Sequence, residues 1–212
     1  MKITTIMVGI MRTNCYILQS EQNSAVVIDP GDDGGRLSDR ITNLGVTVKY
    51  ILLTHGHFDH VGAVKDIVKR TGARVAVGEP DVELLHDPTL VMNRVQAQFS
   101  EKYHIEPDMV LYDGDVIKLD ELELHIIATP GHTKGGVSIL VNDKLFTGDT
   151  LFAGTCGRVD LYGGSEQEMT DSLRKLGALP GDYEVYPGHG DKTTLEQERV
   201  WNPCMRKALG KD

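Results

Sequence analysis

The segment Thr54-His55-Gly56-His57-Phe58-Asp59-His60 packs three histidines and an aspartate into one short loop. Three further segments, Pro130-Gly131-His132-Thr133, Gly148-Asp149-Thr150 and Pro187-Gly188-His189-Gly190, each add one imidazole or carboxylate. Imidazole nitrogen and carboxylate oxygen suit zinc, iron and manganese, and a catalytic metal must keep a coordination position free for water or substrate. The seven groups His55, His57, Asp59, His60, His132, Asp149 and His189 are too many for one ion and match two. A two-metal hydrolytic site is therefore expected. Two divalent metal ions are the expected cofactors, zinc first, with iron or manganese accepted by the same donors. Such ions ionise a shared water near neutral pH, polarise a carbonyl and hold the oxyanion formed on attack, so the nucleophile is not a side chain. Asp59, between His57 and His60, can bind one ion while orienting the nucleophile or taking its proton. Asp29 reads either as an acceptor that fixes a ligand histidine or as a plain strand-end cap.

These groups must be positioned by the elements around them. Each cluster follows an apolar, β-branched run and a small-residue break: residues 46–53 before Thr54, 122–128 before Thr129-Pro130-Gly131, 144–147 before Gly148-Asp149, and 183–186 before Pro187-Gly188. The ligands thus sit where strands stop, and converge if those ends share one edge of a sheet. Residues 62–70 predict a helix with Val64, Ile67 and Val68 on one face. Asp87-Pro88 opens another, on which Met92, Val95, Phe99 and Tyr103 recur at helical spacing. It is either a lid over the site or an ordinary amphipathic helix. Ser165 and Glu168 form a capping box opening a helix through Leu176, and Thr193 or Thr194 opens a last helix before Pro203. Residues 1–11 read as a first strand, since they lack a small-residue cleavage site. No linker, repeat or composition break divides residues 1–212, which read as a single domain.

The motifs Thr-His-Gly-His-Phe-Asp-His, Pro-Gly-His-Thr, Gly-Asp-Thr and Gly-His-Gly, with Val27-Ile28-Asp29-Pro30-Gly31 upstream, resemble those of the metallo-β-lactamase superfamily in type and order. The resemblance implies an α/β fold, the four-layer αββα sandwich. It implies His55, His57 and His132 around a first metal, Asp59, His60 and His189 around a second, and Asp149 bridging both. The stretch from Gly148 to Arg158, with Gly163-Gly164 after it, resembles the glyoxalase II group (hydroxyacylglutathione hydrolases), which cleaves the thioester S-lactoylglutathione. A thiolate with a pKa near 8.5 leaves without much help from an acid. Arg158 falls where the longer enzymes contact glutathione. It is the candidate for holding a substrate carboxylate or backbone carbonyl, the alternative being an exposed or salt-bridged arginine. Two departures stand out. Only 23 residues follow His189, too few for the C-terminal helical domain of the long enzymes, and Asp160 stands where those have a tyrosine. The tail from Gly188, with Asn202-Pro203, resembles the short bacterial glyoxalase II-like hydrolases.

Asp149 in the bridging place argues against class B β-lactamase activity. An excess of 31 acidic over 22 basic residues, formal charge −9, falls only to about −6 with two metals and a hydroxide, which disfavours nucleic acid as substrate. A small-molecule thioester is the expected partner. The alternatives are a persulfide dioxygenase with a single iron on His55, His132 and Asp149, a lactone or ester hydrolase of the same fold, and a metal-binding module without turnover. No twenty-residue apolar run suggests a membrane span, and three cysteines, Cys15, Cys156 and Cys204, leave an odd one in any disulfide scheme, so the expected location is the cytoplasm. Cys15 and Cys156 are expected to pack rather than react, and His86, His104 and His125 to stand outside the chemistry. Oligomeric state, natural acyl group and thiol are left open.

Overall fold

Strands whose two faces are both apolar require cover on both sides, and the chain begins with two of them. After β1 (Lys2–Val8), the strands β2 (Thr13–Gln19) and β3 (Ser24–Ile28) are buried almost throughout. Tyr16, Leu18, Val26 and Ile28 alternate with Cys15, Ile17, Ala25 and Val27, and the two sets enter different apolar layers. The computed structural model describes residues 1–92, 98 and 100–211.

A first sheet runs in sequence order from β1 to β3 and on through β4 (Thr47–Leu52), β5 (Arg74–Gly78) and β6 (Met109–Leu111). Its first three strands are antiparallel and the rest parallel. The parallel crossovers are made by α1 (Gly34–Leu44), and by α2 (Phe58–Val61) with α3 (Val64–Thr71). A short helix, α4 (Val82–His86), follows β5. The second sheet contains β7 (Val116–Leu119), β8 (Leu122–Ala128), β9 (Val137–Val141) and β10 (Lys144–Gly148). After a small hairpin, β11 (Leu151–Phe152) with β12 (Thr155–Cys156), and α5 (Glu166–Gly177), it is completed by β13 (Glu184–Pro187) and β14 (Thr193–Thr194). Its order is β14-β13-β10-β9-β8-β7. The chain ends in α6 (Leu195–Trp201) and α7 (Pro203–Ala208).

The inner faces of the two sheets share one apolar layer. Leu37, Ile41 and Ile67 bring α1 and α3 onto the outside of the first sheet, and Met169, Leu173, Leu195 and Met205 bring α5, α6 and α7 onto the outside of the second. This is the expected αββα sandwich. Between the sheets Tyr16 meets Phe146 and Tyr186 edge-on at 5.1 and 5.6 Å, Phe146 stacks on Tyr186 at 5.0 Å, and the Tyr16 hydroxyl donates to the Pro187 carbonyl at 2.6 Å.

Local signals are met with instructive exceptions. Ser165 Oγ accepts the Glu168 amide at 3.3 Å, and Thr194, not Thr193, caps α6. The single helix expected over residues 62–70 begins only at Val64, after a break behind α2, because the Ala63 amide donates to the Pro30 carbonyl in the loop beyond β3. Asp87 does cap a turn, accepting from Thr89, but that turn is a four-residue 3₁₀ helix, Pro88–Val91, and Met92 is already extended. Val95 and Phe99 lie outside the described residues, and Tyr103 ends a separate 3₁₀ turn, Ser100–Tyr103. The helix α7 was not anticipated; Pro203 starts it, and Asn202 Oδ1 accepts from the Cys204 and Met205 amides. No helix among the described residues is long and apolar enough to cross a membrane.

Phe146 is fully buried and touches both rings that join the sheets. Phe146→Ala is expected to cost about 3–5 kcal/mol, read as a lowered urea midpoint with little change in slope. A loss under about 1 kcal/mol would show that the rings do not hold the sheets together.

Candidate metal centre

Parallel pairing puts the ends of β3 and β4 on one edge of the first sheet and the ends of β10 and β13 on one edge of the second. Backbone bonds sew those edges together, Asn14 N to Gly188 O and Val137 N to Thr54 O, both at 2.8 Å, while Gly188 N to Gly148 O at 2.8 Å ties β13 to β10 within the second. The loops carrying the sequence motifs have nowhere else to go. Close approach at the seam demands glycine. A Cβ on Gly188 would stand 2.2 Å from Asp149 Oδ1, and Gly148, at φ +48, would meet Thr54 Oγ1 at 2.3 Å.

All seven expected groups come together there. Nitrogen or oxygen atoms of His55, His57 and His132 lie within 4.8 Å of one another, as do those of Asp59, His60 and His189, and those of His55, His60 and Asp149. Asp149 thus stands between the two outer sets, with Oδ1 3.4 Å from His60 Nε2 and Oδ2 3.5 Å from both His132 Nε2 and His189 Nε2. The four histidines 55, 57, 60 and 132 are buried, while Asp59, Asp149 and His189 are half-buried, so the centre opens on their side.

Four of the five imidazoles are aimed by their other nitrogen. His60 Nδ1 pairs with Asp29 at 2.9 Å, and the same carboxylate accepts the Thr54 amide (2.8 Å) and hydroxyl (2.6 Å). Asp29 therefore fixes a histidine, one of its two expected roles. His55 Nδ1 faces Thr54 Oγ1 at 3.1 Å, His132 Nδ1 donates to the Arg158 carbonyl at 2.7 Å, and His189 Nδ1 donates to the Met11 carbonyl at 3.1 Å. Buried His55 Nε2 and His57 Nε2 have no hydrogen-bond partner among the described residues. A buried orphan nitrogen is costly. His55 Nε2 and the equally unpartnered Asp149 Oδ1, in one donor group, fit a metal ion as the missing partner, while His57 turns its Nδ1 to His132 Nε2 at 2.9 Å.

Burial, then the neighbouring His60 and His57, hold His55 well below the usual histidine range, and burial with His132 pushes His57 down to about 3. Both are neutral, ligand-ready bases at neutral pH. Burial opposes charge on His60 too, but Asp149, Asp59 and Asp29 together outweigh it and raise its pKa well above the ordinary value. Burial also works against the Asp59 carboxylate, yet His60 and His189 keep it ionised.

Several contributors carry no sequence signal. Buried Asp81 accepts the Gly56 and Gly135 amides at 2.9 and 2.6 Å and so shapes the loop between His55 and His57. Thr13 Oγ1 donates to Asp59 at 3.2 Å. A single acid or threonine with no spacing partner could not have been singled out. Arg158 is different: it was singled out, but its guanidinium is exposed and held bidentately by Asp160 at 2.7 Å, so its backbone, not its side chain, meets the cluster. Cys156 is half-buried, and burial followed by contact with Cys204 pushes its thiol up to about 12, which leaves it a packing residue. His86 pairs with Glu106 and stacks on His104, and His125 is half-exposed on β8; all three stand apart from the cluster.

The metallo-β-lactamase superfamily model matches residues 8–189. The chain is 35% identical over 212 residues to the hydroxyacylglutathione hydrolase GloC of Haemophilus influenzae, covering 97% of this chain and 98% of that one. Among solved structures it is similar to the B3 metallo-β-lactamase BLEG-1, with TM-score 0.87, 32% identity and coverage of 96% and 99%. It is also similar to TTHA1623 in a di-iron-bound form, with TM-score 0.81, 31% identity and coverage of 94% and 98%.

A raised pKa on His60 means that a metal must displace a proton there, whereas His57 is already free. Zinc binding at pH 7 is therefore expected to release protons, and the apparent affinity to rise with pH. Calorimetry in buffers of different ionisation enthalpy reads both. In the same titration Asp29→Asn is expected to lose about 10–100-fold in affinity. Buffer-independent heats, or an unchanged affinity in the variant, would contradict the arrangement.

Proposed function

The chain belongs to the metallo-β-lactamase superfamily, and from that premise we propose that it is a metal-dependent hydrolase cleaving a thioester such as S-lactoylglutathione. The observation that carries the proposal is the position of Asp149 between two sets of donors with orphaned imidazole nitrogens. We assign His55, His57 and His132 to one ion, Asp59, His60 and His189 to the other, and Asp149 to both. Two divalent ions held there, zinc or iron, would supply an acidified water and an electrophilic contact for the carbonyl oxygen.

The chain's own residues do the rest. Asp59, ionised and steadied by Thr13 and His189, keeps an acceptor oxygen on the open side, where it orients the attacking water. The buried imidazoles hold their tautomers through Asp29, Thr54 and the Arg158 carbonyl, so no reorganisation accompanies attack. A thiolate leaves without a strong acid. The formal charge of −9 supports a small-molecule substrate over a polyanion. Likeness to the Haemophilus hydroxyacylglutathione hydrolase supports a glutathione thioester. Likeness to BLEG-1 carries a second reading, hydrolysis of a β-lactam amide.

Steady-state hydrolysis of S-lactoylglutathione by protein of known metal content tests the proposal, with a chromogenic β-lactam and, under oxygen monitoring, glutathione persulfide in parallel. Thioester turnover that disappears together with bound metal in His57→Ala is expected. A metal-replete protein inert to thioesters would overturn it, with lactam cleavage or oxygen uptake naming the alternative.

Arg158 remains our candidate for a substrate carboxylate, which would take the place of Asp160 in the same bidentate geometry. Arg158→Ala is expected to raise KM several-fold with kcat unchanged, and Asp160→Asn, which weakens the competing acceptor, to lower KM. A pure kcat effect in either variant would remove Arg158 from binding.

A further inference from the structure

Met7 near the end of β1 and Ile10 and Met11 in the turn between β1 and β2 are 45%, 94% and 51% exposed. Large apolar side chains grouped in water beside an active centre mark a binding surface more often than chance exposure. This turn is not loose. Gly9 N donates to Asp33 Oδ2 and Arg12 N to Gly9 O, both at 3.2 Å, and the Met11 carbonyl accepts from His189. The same residue that offers an apolar side chain thus holds a candidate metal ligand.

Behind the turn lies a cavity of about 240 Å³, walled by Ile10 and Met11 on one side and by Phe58 and Tyr103 on the other, with Asp59 at its inner end. The Phe58 and Tyr103 rings meet edge-on at 6.1 Å. On its lining Asp32 accepts from Lys102 at 2.9 Å and Thr13 donates to Asp59. An apolar cavity of about 150 Å³ is enough to hold benzene.

We infer that this cavity is the acyl subsite and accepts an apolar acyl tail, a straight chain of about six carbons or a single aromatic ring. The inference rests on the thioester-hydrolase reading and narrows its substrate class. Ile10, Met11, Phe58 and Tyr103 are the specificity-determining residues. The substrate carbonyl sits at Asp59, its acyl tail runs toward the β1–β2 turn, and its thiol portion leaves on the opposite side.

Two measurements on the metal-loaded protein test it. The first is kcat/KM for S-acetyl-, S-butanoyl-, S-hexanoyl- and S-lactoylglutathione, with and without Ile10→Asp. The second follows the Ile10 and Met11 methyl resonances during titration with sodium hexanoate or, as the carboxylate control, sodium acetate. Each added methylene is expected to raise kcat/KM about fourfold up to six carbons. Ile10→Asp, at a position too exposed to unfold the chain, is expected to flatten that rise, and hexanoate alone to shift the methyls. Thioester turnover that is flat with chain length, with methyls indifferent to hexanoate, overturns the acyl subsite and leaves the hydrolase reading standing. Methyl shifts specific to hexanoate without turnover of any thioester overturn that reading and, with it, the acyl role, leaving only an apolar cavity.

Discussion

Three donors converge on one buried carboxylate, that of Asp29, and the centre depends on that convergence. The Thr54 amide and hydroxyl and His60 Nδ1 all end there, so the last residues of β3 and β4 are tied to the middle of the ligand loop. Without it, Thr54 Oγ1 would lose the partner that holds it beside His55, and His60 would lose the contact that sets its ring. A carboxylate this deep is tolerable because all its bonds are made.

The sheet architecture turns that local clamp into a two-sided site. One sheet delivers Asp29 and the loop from Thr54 to His60, and the other delivers His132, Asp149 and His189. The shared aromatic layer of Tyr16, Phe146 and Tyr186 keeps them at a fixed spacing. Backbone bonds across the seam then replace the side-chain contacts that glycine at positions 148 and 188 forgoes. Rigidity on this scale is what lets candidate ligands hold their geometry before any ion arrives.

Charge follows the same division. The buried imidazoles of His55 and His57 are neutral because burial penalises a proton, while His60, buried deeper still but among Asp29, Asp59 and Asp149, is held in its charged form. The open side carries Asp59 and His189; an apolar wall of Ile10, Met11 and Phe58 stands beside Asp59, and Arg12, Asp191 and Lys192 stand with His189.

Much of this was legible beforehand, because metal-ligand spacing and strand–break–ligand patterns are local. His55 to His60 occupy a single loop, and each other ligand follows its own strand within a few residues, so the ligand types, the strand ends and the sandwich could be read from the chain. Ser165 and Thr194 announced their helices for the same reason: a cap acts on the next three residues. What the chain alone could not decide were relations through space. Nothing local says that the Ala63 amide will be taken by Pro30 and split a helix, that Asp81 will bind Gly56 and Gly135, or that Asp160 will occupy Arg158. Nor does it say that the apolar turn at Ile10 will stand beside Asp59 across 48 intervening positions. Those pairings are set by how two sheets pack face to face. Only the tertiary structure could choose among the partners each polar group might have met, because burial makes one partner obligatory and excludes water as the substitute.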